Sequence, residues 1–307
     1  MMWTYDRKLV RLDTVDLACL DRGAGQPVVL LHGIFTNAAQ YGRMLERLPS
    51  GYRYIAVDLL GHGFTRIADD QPVGVHAQVE AVRQLVERLD LAPVHLVGSG
   101  GGGRVAQVFA LAYPELTRSM LLTNCTVFDH VSVNALATLQ REFSRVGARR
   151  FLMDRVRDPA LAREDLCFGT TVEDPAAIPD DLVRHFLEPL AETEQSARNF
   201  QRFLTGSLDT HRVEGDIQAP TTLVWGTGST HFPLESAVAL LNRLGDPRML
   251  HVIPNARCYL HLDHPRTLAE LFDSAFRDID RAGPAPRGPH CATPLAVHLR
   301  GRRRPSP

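Results

Sequence analysis

The sequence predicts an α/β fold: a mostly parallel sheet of eight strands with helices on both faces and a helical cap inserted between the sixth and seventh strands. Three observations carry that expectation. Short uninterrupted apolar runs, such as 27–31 (Pro-Val-Val-Leu-Leu), have the pattern of strands buried on both faces. They alternate with segments of helical spacing, the βαβ rhythm of a parallel sheet. The rhythm breaks near Val127, and from there to about Gly215 the chain is helical, with charged residues and aromatics (Phe143, Phe151, Phe186, Phe200, Phe203) interleaved and no apolar strand run.

In order along the chain, residues 8–12 and 15–20 read as a hairpin and 27–31 as the first buried strand. Helical spacing follows over 37–48, a strand over 52–58 and a helix over 78–89. Strands at 94–97 and 118–123 complete the first half of the sheet. After the cap, the sheet resumes with a strand at 221–225, a helix at 234–244, a strand at 249–253 and a helix at 265–280. The expected organisation is core 1–126, cap 127–215, core 216–282, and a Pro-, Gly- and Arg-rich tail 283–307 with too few large apolar side chains to fold alone.

Composition narrows the class of partner. The net charge of −1 over 307 residues gives no basic surface for nucleic acid or membrane. The polar start lacks a signal-peptide core, and no apolar run approaches a membrane span. Five scattered cysteines (Cys19, Cys125, Cys167, Cys258, Cys291) show no metal spacing, and their odd number points to free thiols in a cytoplasmic protein. A small-molecule substrate is expected, with no cofactor and no metal; the oligomeric state is not legible.

The most informative segment is 93–110, a short apolar strand, a glycine turn and an amphipathic helix. The turn reads Gly98-Ser99-Gly100-Gly101-Gly102. Gly98, Gly100 and Gly103 also match G-x-G-x-x-G, but Thr123-Asn124 stands where a dinucleotide fold needs an acid at the end of the next strand. Other motifs surround the turn: Leu31-His32-Gly33 after the first buried strand, Asp58-Leu59-Leu60-Gly61-His62-Gly63, Trp225-Gly226, and the loop Ile253-Pro254-Asn255-Ala256-Arg257-Cys258 followed by Leu260-His261-Leu262-Asp263-His264-Pro265. In this order and spacing the chain, over residues 8–280, resembles the α/β-hydrolase superfamily, in its cap-bearing branch of esterases, dehalogenases and C–C hydrolases.

The resemblance implies the α/β-hydrolase fold and assigns places to a catalytic triad. Its nucleophile elbow, G-x-S-x-G, puts Gly100 where the nucleophile stands. Ser229 falls in the acid's place and Cys258 in the histidine's; the alternative acid place, used by some relatives, holds Asn124. A triad needs nucleophile, base and orienting acid, so all three places are read as substituted. Ser99, by a one-residue slip, and Cys258, as a thiolate, are the candidate replacement nucleophiles. The resemblance also implies an oxyanion hole from the backbone N–H groups of Ile34 and Gly101, near the positive end of the helix that begins by Gly102. A glycine at 100 frees room for a substrate group. His231, in the loop past Ser229, is the first candidate general base. Gly100, Phe35, Asn124, Phe128 and His130 are expected to touch substrate. His32, His62, His261 and His264 are read as structural.

Three functions follow as expectations. The leading one is a non-hydrolytic enzyme, a cyclase, isomerase or eliminating lyase of secondary metabolism, that stabilises an oxyanion on an apolar natural-product intermediate without a covalent nucleophile. The second is a pseudoenzyme that binds a ligand or a protein. The third is a hydrolase with relocated catalytic residues.

Overall fold

The computed structural model describes residues 6–127, 133–164, 167–206, 215–282 and 296–299. Its strands are β1 (Lys8–Arg11), β2 (Asp16–Gly23), β3 (Gly25–Leu31), β4 (Gly51–Val57), β5 (Val94–Gly100), β6 (Thr117–Cys125), β7 (Thr221–Gly226), β8 (Pro247–Ile253) and β9 (Ala296–Leu299). They form one sheet in the order β1-β2-β4-β3-β5-β6-β7-β8-β9. β2 pairs antiparallel with β1 and β4, and every pairing from β4 through β9 is parallel. The first eight strands are those the apolar runs announce. The ninth corrects the reading of the tail as wholly unfolded: residues 296–299 add a parallel edge strand beside β8. The remainder of 283–307 lies outside the described residues.

The helices are α1 (Gly42–Leu45), α2 (Val75–Arg88), α3 (Gly101–Ala112), α4 (Val133–Val146), α5 (Ala148–Arg157), α6 (Pro159–Ala162), α7 (Asp180–Ala191), α8 (Glu194–Gly206), α9 (Leu234–Leu241), α10 (Leu260–Asp263) and α11 (Pro265–Ala282). The expected helix over 37–48 is split into a 3-10 turn at Ala38–Tyr41 and the single turn α1. Asn37 opens it, its side chain accepting from Ala39 N at 3.0 Å. Helices α4 through α8 make up the cap between β6 and β7, as the break in rhythm implies.

Period-two alternation explains why the central strands are apolar throughout. Val28 and Leu30 of β3, with Tyr54 and Ala56 of β4, face Phe272 and Phe276 of α11. Val29, Leu31, Ile55 and Val57 face the opposite cluster, which includes Leu85 of α2 and Phe109 of α3. Helices cover both faces, so residues 28–31 of β3 and 54–57 of β4 are all buried.

Aromatic rings join cap to core. Phe200 of α8 packs on Phe35 at 5.1 Å between centroids, and on Phe143 of α4 at 6.1 Å. Phe203 of α8 packs on His62 at 4.5 Å. Burial holds the His62 imidazole far below its ordinary range, so it acts as an uncharged packing ring.

A polar clamp closes the other side. Arg7 donates from Nε to Asp58 Oδ2 at 3.1 Å and from Nη2 to Asn37 Oδ1 at 3.2 Å. The same Nη2 lies 2.9 Å from His185 Nε2 on α7, and the guanidinium sits 4.1 Å above the Phe64 ring. Burial and the Arg7 charge push His185 down to about 4. The neutral ring can therefore accept a hydrogen bond from the Arg7 guanidinium. Asp58 also accepts from Ala38 N at 2.7 Å and Phe64 N at 2.9 Å.

Removing Arg7 leaves a fully buried carboxylate without its cation. Arg7→Met is expected to lower unfolding free energy by about 3 kcal/mol, measured as a lower urea midpoint at neutral pH. An unchanged midpoint would show the clamp to be energetically idle.

Candidate active site

The candidate site lies at the carboxyl ends of the parallel strands, where ligands bind in open α/β sheets. Five segments converge on one cavity of about 690 Å³, part of it open to solvent. The loop after β3 brings Ile34 and Phe35, and the turn after β5 brings Gly100 and Gly101. Thr126 follows β6, the loop after β7 brings His231 and Phe232, and the loop after β8 brings Cys258 and Tyr259. The cap closes it with Leu136 and Leu139 of α4 and with Cys167 and Thr171.

The turn after β5 is built by close packing. A Cβ on Gly98 would stand 2.5 Å from Gly103 Cα, a distance side-chain carbons do not adopt. A one-residue slip is therefore excluded, because Val97 would have to take that place. Gly100 has φ +55° and ψ −120°, a conformation that strongly favours glycine. It leads directly into α3, whose first residue is Gly101, so the Gly101 N–H is one of the helix's unbonded first-turn donors. Ile34 N lies 4.0 Å from the point a Cβ on Gly100 would occupy.

The loop after β3 is rigid. His32 Nε2 accepts from Leu59 N at 3.0 Å while its Nδ1–H donates to Gly33 O at 2.7 Å. Burial pushes the ring down to about 4, so it is a neutral structural tie, as expected. The Tyr259 hydroxyl donates to Ile34 O in a very short contact. Gln40 accepts from Gly33 N at 3.1 Å, and its amide reaches His261 Nδ1 at 3.2 Å. His261 is thus structural too, and His264 pairs with Glu173 at 2.5 Å.

The structure sorts the remaining sequence candidates. Gly100, Gly101, Ile34, Phe35, His231 and Cys258 line the cavity together. Ser99 does not: it is fully buried and absent from the lining, with no hydrogen-bond partner for its hydroxyl among the described residues. It is corrected from candidate nucleophile to a packed residue of the turn. Asn124 is likewise corrected. Both ends of its amide are engaged, Oδ1 accepting from Gly226 N at 2.7 Å and Nδ2 donating to Gly226 O at 3.0 Å and Phe232 O at 3.3 Å. It fastens β6 to β7 and has no free polar group for substrate. Ser229 is buried at the loop's turn, its Oγ accepting from Phe232 N at 3.1 Å. Phe128 and His130 lie outside the described residues.

Burial disfavours the thiolate form of Cys258. Burial pushes its thiol up to about 12, and its Sγ is 3.5 Å from Thr171 O. His231 is different. Its Nε2 lies 2.8 Å from Thr170 Oγ1, and burial followed by the nearby Arg257 charge lowers it from its ordinary value, so it is an uncharged imidazole at neutral pH. The Thr170 hydroxyl is a partner that sequence reasoning missed. Residue 170 belongs to the cap, and nothing in the spacing ties it to residue 231.

The buried thiols set an expected outcome. Cys19 is pushed up to about 12 and Cys125 higher still, both chiefly by burial. Alkylation of Cys19, Cys125 and Cys258 by iodoacetamide at neutral pH should be about a thousandfold slower in the folded protein than after denaturation. Peptide mapping at timed quenches measures it, and prompt labelling of Cys258 would restore it as a nucleophile.

A 2-hydroxy-6-oxononadienedioate/2-hydroxy-6-oxononatrienedioate hydrolase of Cupriavidus pinatubonensis is 26% identical over 266 residues, covering 82% of this chain and 88% of the relative. A 2-hydroxy-6-oxo-6-phenylhexa-2,4-dienoate hydrolase of Burkholderia cepacia is 24% identical over 259 residues, covering 80% and 85%. Among solved structures, the meta-cleavage product hydrolase of Pseudomonas fluorescens IP01 superposes with a TM-score of 0.64 at 22% identity, covering 86% of this chain and 95% of its own. These relatives are named as hydrolases. That overturns the expectation of a non-hydrolytic cyclase, isomerase or lyase, and of a triad so degenerate that hydrolysis is lost. The expectation read activity from three side chains, whereas the cavity is also lined by a histidine outside those three places, His231. The model of the α/β hydrolase fold matches residues 26–265, and with the sheet and turn in place the chain belongs to that family.

Proposed function

We propose that the protein hydrolyses a small, largely apolar carbonyl compound held beneath the cap. The observation that carries this reading is that Ile34, Gly101 and His231 line one cavity whose other walls are mostly apolar. In this reading the two N–H groups form the oxyanion hole, which stabilises the charge that develops on the carbonyl oxygen as the carbon is attacked. His231 is the general base, and its lowered pKa keeps it ready to accept a proton. Gly100, Ser229 and Cys258 stand in the places that the family resemblance gives to nucleophile, acid and histidine. The nucleophile is therefore not a side chain of the turn after β5. Leu136, Leu139 and Phe232 take the apolar part of the substrate.

A second reading, ligand binding without turnover, is favoured by Gly100 itself, which has no side chain to react. The two readings separate on product formation. Short-chain p-nitrophenyl esters and the 2-hydroxy-6-oxo dienoates for which the relatives are named are the compounds to try first. Hydrolysis above the heat-denatured blank supports the first reading. Saturable binding with no product supports the second.

Two outcomes are expected if hydrolysis is found. His231→Ala lowers kcat/KM by about a hundredfold or more. The wild-type rate rises with pH to a plateau, because the base works only when unprotonated. Its midpoint lies below the ordinary histidine value, since burial and Arg257 disfavour the charged form. A flat pH profile, or full activity in the variant, would remove His231 from the mechanism.

A further inference from the structure

Packing closes the far side of the turn after β5. A Cβ on Gly102 would come within 2.2 Å of Leu31 O, and one on Gly103 within 2.3 Å of Cys125 Cβ. Gly100 and Gly101 instead line the cavity. A Cβ on Gly101 would rest in ordinary contact with Phe203 at 3.4 Å; one on Gly100 would stand close to Gly33 Cα at 3.2 Å and 4.0 Å from Ile34 N. Gly100 thus presents no side chain to the cavity, and the space beside it lies near Ile34 N in the cavity that His231 also lines.

We propose that this space seats a small oxygen or nitrogen nucleophile, water in hydrolysis and hydroxylamine or methanol when supplied, so that the protein transfers an acyl group directly to a bound solvent-sized molecule. The inference rests on the hydrolytic reading above and names the nucleophile that reading leaves open. The seated water attacks the carbonyl carbon, forming a C–O bond, and its proton passes to neutral His231. The oxyanion is held by the Ile34 and Gly101 N–H groups. It then collapses, the bond to the leaving group breaks, and His231 returns the proton to that group. Acid and alcohol are the products, and no protein atom is acylated. Hydroxylamine in the same seat gives a hydroxamate and the same alcohol.

The experiment follows p-nitrophenyl acetate with the full chain at neutral pH across a hydroxylamine series. Nitrophenol and hydroxamate are both measured above the heat-denatured blank, with intact-mass spectrometry of rapidly quenched samples. The expected result is hydroxamate formation first order in hydroxylamine, a nitrophenol rate that rises with it, and no protein adduct. Gly100→Ala, checked for folding by circular dichroism, should lose at least tenfold in both products because its methyl fills the seat. The wild-type series decides the matter even if that variant does not fold. An acetyl adduct on any side chain overturns the inference. So does hydrolysis with no hydroxamate, or a folded Gly100→Ala with undiminished hydroxamate; in these cases the hydrolytic reading survives. Absence of both products overturns the two together.

Discussion

Everything at the site depends on the contact between the turn after β5 and the loop after β3. Gly98 and Gly103 touch backbone to backbone, and Gly102 N donates to His32 O at 3.0 Å. This contact brings α3 end-on toward the β3 loop and sets the spacing of Ile34 N and Gly101 N. It needs glycine for steric reasons alone, whatever chemistry happens above it. Donors fixed in this way cost little reorganisation when charge develops, and one such donor is worth about 3 kcal/mol in a transition state. The supports beneath the loop, His32, Gln40 and Tyr259, are uncharged and each bonds to the loop's backbone, so the loop's position does not shift with pH near neutrality.

The cap acts on the same site through its aromatic face. Phe200 presses on Phe35, whose φ of +60° is rare for a bulky side chain, and Phe203 stands over Gly101. A backbone held in that conformation persists only where the surroundings over-determine it, and here the Phe200 ring and the Tyr259 bond to Ile34 do so. Apolar closure also lowers the local dielectric, which strengthens the pull of N–H groups on a developing oxyanion. One layer of rings therefore serves both the docking of the cap and the closure of the cavity.

The fold was legible because its signals are local and repeated. Runs such as Val28–Leu31 can only be strands covered on both faces, and the cap announces itself by the absence of such runs. The site was legible in part. Gly100, Gly101 and Ile34, placed by the family resemblance, line the cavity, and so do Phe35, His231 and Cys258. Side chains that act across the cap were not legible. Thr170 meets His231 across 61 positions, a contact set by the docking of the cap and not by any local pattern. Asn124 looked like a polar group facing substrate because it ends a strand; its amide is consumed by Gly226 and Phe232, which sequence separation hides. The strand at 296–299 was missed because a short edge strand in a Pro- and Arg-rich tail carries almost no periodic signal.

What Gly100 can contribute depends on which parts of a hydrolytic site are side chains and which are backbone. A nucleophilic side chain can be lost by one substitution. The donors around it cannot, because they belong to peptide groups that the sheet and α3 hold in place. Ser229 and Cys258, on the β7 and β8 loops, are a buried hydroxyl and a thiol pushed up to about 12 by burial. Among the described residues that line the cavity the one histidine is His231, two residues beyond Ser229. On the reading proposed above, His231 and the backbone donors act on a nucleophile that is not a side chain of the turn after β5. The cavity beside Gly100 is where we propose such a molecule sits, while packing closes Gly98, Gly102 and Gly103 to any side chain.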